Sequence, residues 1–119
     1  MASDTYHEPL ETLSEQTRNL HRAIVSLMEE LEAIDWYQQR ADACTDTQLK
    51  DVLLHNKDEE IEHASMIMEW IRRHSTHFDE MMRKYLFSEQ SITAIEDANK
   101  SGSAGAVSGG LGIGRNKGR

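Results

Sequence analysis

The sequence predicts an all-α protein built on two long antiparallel helices with a short C-terminal helix. Three observations predict it. All seven glycines lie between 102 and 118 and the single proline is Pro9, so the chain from Leu10 to Ser101 holds neither of the residues that break helices. Leu20, Ile24, Leu27, Leu31 and Ile34 follow one another at alternating gaps of four and three, the spacing of one helical face. Thr45-Asp46-Thr47-Gln48 has the form of a capping box, which marks a helix start.

The first helix is expected from about Pro9, whose fixed φ suits a first turn, to Ala43. The second is expected from about Thr47 to His74, with Leu49, Leu53, Asn56, Glu60, His63, Ile67 and Trp70 along one seam. Thr76 to Phe87, apolar at Met81, Met82 and Leu86, forms a third and shorter helix, and Thr93 to Ala98 adds a turn. From Ser101 the composition changes to Ser-Gly-Ser-Ala-Gly-Ala-Val-Ser-Gly-Gly, a flexible linker. The expected division is a helical domain over 1–98 and a Gly/Ser-rich tail over 99–119.

Charge and length narrow the function. Thirteen basic against 21 acidic residues give a net charge of −8 over 119 residues. One small acidic domain suits the collection of cations, not the binding of a phosphate backbone, so no nucleic-acid partner is expected. No apolar run approaches the roughly 18 residues of a membrane span, and the N-terminus lacks a basic start followed by an apolar stretch. Cys44 is the one cysteine, which excludes a disulfide framework and a four-cysteine metal site and fits a reducing cytosol.

Two seam positions of the second helix are ionisable. Glu60 and His63 share a face with Leu49, Leu53, Ile67 and Trp70, where an unpaired carboxylate would cost several kcal/mol. Their i, i+3 spacing places them one turn apart, within reach of one metal ion. Glu30 lies on the flank of the apolar stripe of the first helix, between Leu27 and Ile34. A Glu-x-x-His pair also occurs on solvated helices, and Asp58, Glu59, Glu60 and Glu62 read equally as a wet charged surface. The inward position and the matching carboxylate on the other helix favour a metal.

Carboxylate-bridged di-iron bundles take one Glu from each of two helices and a Glu-x-x-His from each of two others. This chain offers Glu30, Glu60 and His63, which is half of such a set. Two antiparallel copies would complete a ferritin-like four-helix bundle, with four carboxylates balancing two divalent ions. Mixed oxygen and nitrogen donors suit iron, manganese or zinc, and a closed two-fold dimer is the commonest assembly. Glu29 and Glu32 lie on another face and read by themselves as an exposed acidic surface. Their other reading is a metal-attracting approach partly covered by Trp36, to which Asp35 could contribute.

The chain resembles the encapsulated ferritins. The stretches that carry the resemblance run His21-Arg22-Ala23-Ile24-Val25-Ser26-Leu27-Met28-Glu29-Glu30-Leu31-Glu32-Ala33-Ile34-Asp35-Trp36-Tyr37 and His55-Asn56-Lys57-Asp58-Glu59-Glu60-Ile61-Glu62-His63-Ala64, followed by Tyr85-Leu86-Phe87 and Ile92-Thr93. The resemblance implies a homodimer with a di-iron ferroxidase centre at its interface, five such dimers forming a ring-shaped decamer. It implies Glu30, Glu60 and His63 of both copies as iron ligands, with Tyr37 beside them. It implies Glu29 and Glu32 as a metal entry site, with Trp36 as the neighbouring aromatic. The implied reaction is oxidation of Fe(II) to Fe(III) by dioxygen, supplying mineral storage.

The implied partner is an encapsulin shell protein, so the implied location is cytoplasmic, inside a nanocompartment. The cargo of such shells ends in a flexible linker and a short docking peptide, which Leu111-Gly112-Ile113-Gly114 resembles. The continuation here is Arg115-Asn116-Lys117, where the family usually has Ser-Leu and a basic residue. The alternatives are a helical homodimer with a structural, redox-inert metal site and a coiled-coil module without metal. His55 can pair with Glu59, whereas His7, His21, His74 and His77 show no partner in the sequence.

Overall fold

The computed structural model describes residues 5–105, with side chains for 5–98. Helix α1 spans Glu15–Ala43, α2 Thr47–His74, α3 Thr76–Tyr85 and α4 Ile92–Gly105, and a 3-10 turn over Leu10–Thr12 precedes them. The described residues contain no strand. The protein is therefore all-α, as its sequence predicts. It divides into two compact units, residues 1–74 and 75–119. No described helix is long and apolar enough to cross a membrane.

The expected start of the first helix is corrected. Pro9 caps the 3-10 turn, with Thr12 N–H donating to its carbonyl at 3.0 Å. Leu13 then turns extended, and Ser14 opens α1 by accepting the Thr17 N–H at 3.1 Å. A serine that satisfies an orphan N–H sets a helix start more strongly than a proline that only fixes φ. Arg18 ties the turn to the helix by donating from Nη2 to the Leu10 carbonyl at 2.5 Å. The cap of α2 is corrected by one residue. Asp46, not Thr45, accepts the Leu49 N–H on its Oδ1 at 2.8 Å.

Cys44 adopts an extended conformation after α1, and two more residues carry the chain into α2. So short a connection folds the helices back as antiparallel neighbours. Gln16 Nε2 donates to the His74 carbonyl at 3.5 Å and Lys57 Nζ donates to Gln38 Oε1 at 2.8 Å, which fixes the antiparallel register at two points. Ala41, Ala64 and Ile71 are the buried apolar residues of this unit. The alanines let the two backbones approach closely.

The expected seams are covered only in part. Ile24, Leu31 and Leu49 are 37%, 51% and 51% exposed, and no large side chain is fully buried among the described residues. Trp36, Val52, Ile61, Met66 and Met68 are exposed as well. One helix covers a narrow strip of another, and the rest of a broad apolar stripe needs further elements.

In the second unit, Ser75 caps α3 by accepting the Phe78 N–H at 3.3 Å. The helix ends at Tyr85, two residues short of the expected Phe87. Phe87 has φ 63° and is 95% exposed. The C-cap Leu86 is already extended (φ −74°, ψ 145°) and ends the helix, and the left-handed Phe87 after it costs about 1 kcal/mol because it is not glycine. α4 is longer than the single turn expected over Thr93 to Ala98. It continues to Gly105, through the residues where the composition places the start of the linker.

Candidate metal centre

α1 and α2 bring three of the predicted residues together. One donor atom each of Glu30, Glu60 and His63 lies within 4.8 Å of the other two. His63 Nδ1 is 3.3 Å from Glu60 Oε1 and 3.8 Å from Glu30 Oε1. The i, i+3 step on α2 supplies the first contact, and the antiparallel register supplies the second. Both carboxylates are partly covered, with side chains 25% exposed, and the imidazole is 44% exposed.

The electrostatics are those of an acceptor cluster short of positive charge. A hydrogen bond with Glu60 holds the Glu30 carboxyl above its usual pKa, and burial and the charge of Glu60 add to the effect. The same bond holds Glu60 below its usual value, helped by His63. Glu30 therefore holds a proton more readily than Glu60 does. When Nδ1 of His63 carries its proton, it donates to the Glu60 carboxylate. A divalent cation does the work of these protons, and two oxygen donors with one imidazole suit iron, manganese or zinc. Three donors from one chain leave a metal ion with open positions.

The other predicted residues stay outside this triplet. Tyr37 follows Glu30 by about two turns of α1, roughly 10 Å along the axis. It is half-buried, with the Arg40 guanidinium 5.6 Å from its ring centroid. The same guanidinium lies 5.9 Å from the Trp36 ring, and Trp36 is 46% exposed. Glu29 is exposed and Glu32 half-buried. The Leu111-Gly112-Ile113-Gly114 segment lies outside the described residues.

Histidines without a partner in the sequence find one in the structure. His21 stacks on Tyr6 with centroids 4.1 Å apart, and His74 stacks on Trp70 at 4.0 Å with Nδ1 2.8 Å from the Trp70 carbonyl. His77 Nδ1 lies 3.6 Å from Glu80 and His55 Nε2 3.5 Å from Glu59. An i, i+4 aromatic signal was present for Trp70 and His74, whereas the Tyr6 contact depends on the 3-10 turn. Sequence reasoning also missed a groove beside the triplet, lined in part by Ala23, Ser26, Glu30, Met66 and Trp70. Small residues one turn apart on α1, facing long ones on α2, were its only sequence signal.

The comparisons bear on this geometry. Residues 5–89 match the EncFtn-like family. The chain is 54% identical to an encapsulated ferritin-like protein of Rhodospirillum rubrum, over 98% of this chain and 91% of that protein. It is 45% identical to a ferritin-like protein of Thermotoga maritima, over 93% and 96% of the two. An encapsulin nanocompartment cargo protein of Myxococcus xanthus is 37% identical over 63% of this chain and 62% of its own length. A crystal structure of a Nitrosomonas europaea protein superposes with a TM-score of 0.71 at 55% identity, covering 73% of this chain and 96% of that one.

Proposed function

We propose that this chain, which belongs to the EncFtn-like family, is a ferroxidase whose metal centre is completed by a second copy. The observation that carries the reading is the convergence of Glu30, Glu60 and His63 donor atoms within 4.8 Å. Three donors make half of a two-metal set, and the exposed Ile24, Leu31 and Leu49 give a second copy an apolar surface to cover. The assembled dimer is the ferritin-like four-helix bundle, and five dimers close the ring.

Iron is the substrate. The acidic surface that includes Glu29 and Glu32 draws Fe(II) in, with Trp36 beside the approach. Glu30 and Glu60 offer carboxylate oxygens to the ion and His63 an imidazole nitrogen. The carboxylates stabilise the higher charge of Fe(III) over Fe(II), which lowers the reduction potential and favours electron loss to dioxygen. Tyr37 packs behind the ligands once two copies meet. Released Fe(III) is stored as mineral in the encapsulin shell, where Leu111 and Ile113 dock in apolar pockets on the inner wall. The relatives' descriptions as encapsulated ferritin-like and nanocompartment cargo proteins support that partner and that cytoplasmic compartment.

Anaerobic loading with Fe(II) followed by air tests the reading. Rapid ferric absorbance, reduced sharply in Glu30→Ala, Glu60→Ala and His63→Ala, supports it. Tight zinc binding with no oxygen uptake gives the structural, redox-inert site instead. Co-expression with the shell protein, with Leu111→Ser and Ile113→Ser as controls, tests the docking.

A further inference from the structure

The groove beside the metal triplet encloses about 530 Å³ and holds Glu30 in its wall. Small residues on α1, Ala23 and Ser26, leave the space, and Met66 and Trp70 line it from α2. Counted from Glu30, Ala23 and Ser26 stand seven and four residues before it, and Tyr37 and Ile34 stand seven and four residues after it. Leu27 and Ala33 stand three before and three after, with large and small exchanged. At 3.6 residues per turn, steps of three, four and seven stay on one side of a helix. The α1 face around Glu30 is therefore small where its mirror position is large, and large where its mirror position is small.

We propose that Tyr37 of a second copy fills this groove. The inference rests on the two-copy metal centre of the ferroxidase reading. A two-fold contact repeats itself, so that residue i meets residue j and j meets i. With the axis through the paired triplets and the two α1 helices antiparallel, each α1 position before Glu30 faces the partner's position equally far after it. The partner's Tyr37 then meets Ala23, the partner's Ile34 meets Ser26 and the partner's Ala33 meets Leu27. Each pair joins one large and one small side chain, the condition for filling space without overpacking. A slip of four residues in one direction sets Tyr37 against Leu27 and Ile34 against Glu30. The same slip in the other direction sets Ile34 against Arg22. The size pattern thus selects the register in which the two triplets stand opposite each other. A helical side chain leans toward its own N-terminus, which carries the partner's Tyr37 ring toward the level of Ser26. A buried tyrosine hydroxyl needs a hydrogen-bond partner, and the Ser26 hydroxyl in the groove wall is an acceptor for it.

Two versions of the full chain, both carrying Cys44→Ser, test the pairing. One also carries Ala23→Cys and the other Tyr37→Cys, with different tags, and the two are co-expressed and treated with a short bismaleimide. Positions 23 and 37 lie about 21 Å apart along one helix, so no link closes within a chain. The expected product joins unlike chains, at about tenfold or more over links between like chains. Like-chain links in equal amount, or a mixed dimer that gives no link, overturn the proposal and leave the metal reading standing. A size exchange covers the case in which the cysteine variants do not pair. Ala23→Trp should weaken the dimer about tenfold or more, and Tyr37→Ala in the same chain should recover most of the loss. An unweakened Ala23→Trp dimer, or no recovery in the double variant, overturns the pairing. If the unsubstituted chain gives no dimer by native mass spectrometry, with or without Fe(II), the two-copy reading falls together with this inference.

Discussion

His63 Nδ1 stands 3.8 Å from Oε1 of Glu30, a contact between two helices that the chain reaches only by folding back on itself. It converts a Glu-x-x-His pair on one helix into a three-donor cluster. Removing any of the three should hit iron chemistry hard. Glu30→Ala, Glu60→Ala and His63→Ala should each slow ferric formation by about tenfold or more, since even residues that only support metal ligands act on that scale. Stopped-flow absorbance after mixing with air checks it, with circular dichroism to show that the helices persist.

The metal-free protein should respond to Glu30 in the opposite sense. Its carboxyl is held above the usual 4.5 by Glu60 and by burial, so ionising it at neutral pH opposes folding. Glu30→Gln keeps a donor toward Glu60 and loses the charge. The variant should therefore melt above the wild type at pH 7 without metal, and the gap should shrink as pH falls and Glu30 keeps its proton. Thermal unfolding in chelator at pH 7 and pH 4.5 reads both effects.

Metal binding should release protons for the same reason. A bound divalent ion displaces the proton that Glu30 holds more readily than an ordinary carboxyl does, and affinity rises with pH. Calorimetric titration in two buffers of different ionisation enthalpy gives the proton count. Glu30→Gln should release fewer protons than the wild type, and an unchanged count contradicts a proton held on Glu30.

Glu69 gives a separate pH signature. Hydrogen bonds from Arg72 and Arg73, at 2.8 Å and 2.6 Å, pull its pKa from 4.5 to about 2. A depressed carboxylate stabilises the fold above its unfolded pKa and stops doing so as pH falls through the folded value. The stability difference between wild type and Glu69→Gln should be present at pH 6 and vanish between pH 4.5 and about 2. It should be small, because the group is solvent-facing and screened.

Assembly and capping each have a direct probe. Leu31 is 51% exposed in the single chain, so Leu31→Lys should leave the hairpin folded while native mass spectrometry shows loss of the dimer and iron oxidation falls with it. Asp46→Ala should cost about 1 kcal/mol in urea unfolding, the usual value of an N-cap, and Thr45→Ala close to nothing.

Most of the fold was legible because its signals are local. Residues without glycine or proline form helices wherever apolar side chains recur every three or four positions, and α1, α2 and α3 follow that pattern, whereas α4 runs on through Gly102 to Gly105. The boundaries were less legible. Ser14 outcompetes Pro9 and Asp46 outcompetes Thr45 through hydrogen bonds that depend on backbone angles, and α3 stops where Leu86 turns extended, a backbone choice its residue type does not announce. Glu60 and His63 stood out as ionisable groups on an apolar seam.

By itself the sequence determined that this chain is helical, that Glu60 and His63 lie one turn apart, and that Glu30 lies beside the apolar stripe of the other helix, since all three follow from the period of one helix. The tertiary structure decided that these groups share one point and that Glu30 is protonated more readily than Glu60. The reason is that distances between helices are set by how closely their backbones pack at Ala41 and Ala64 and by the register of the turn, neither of which is encoded in the spacing along a single helix.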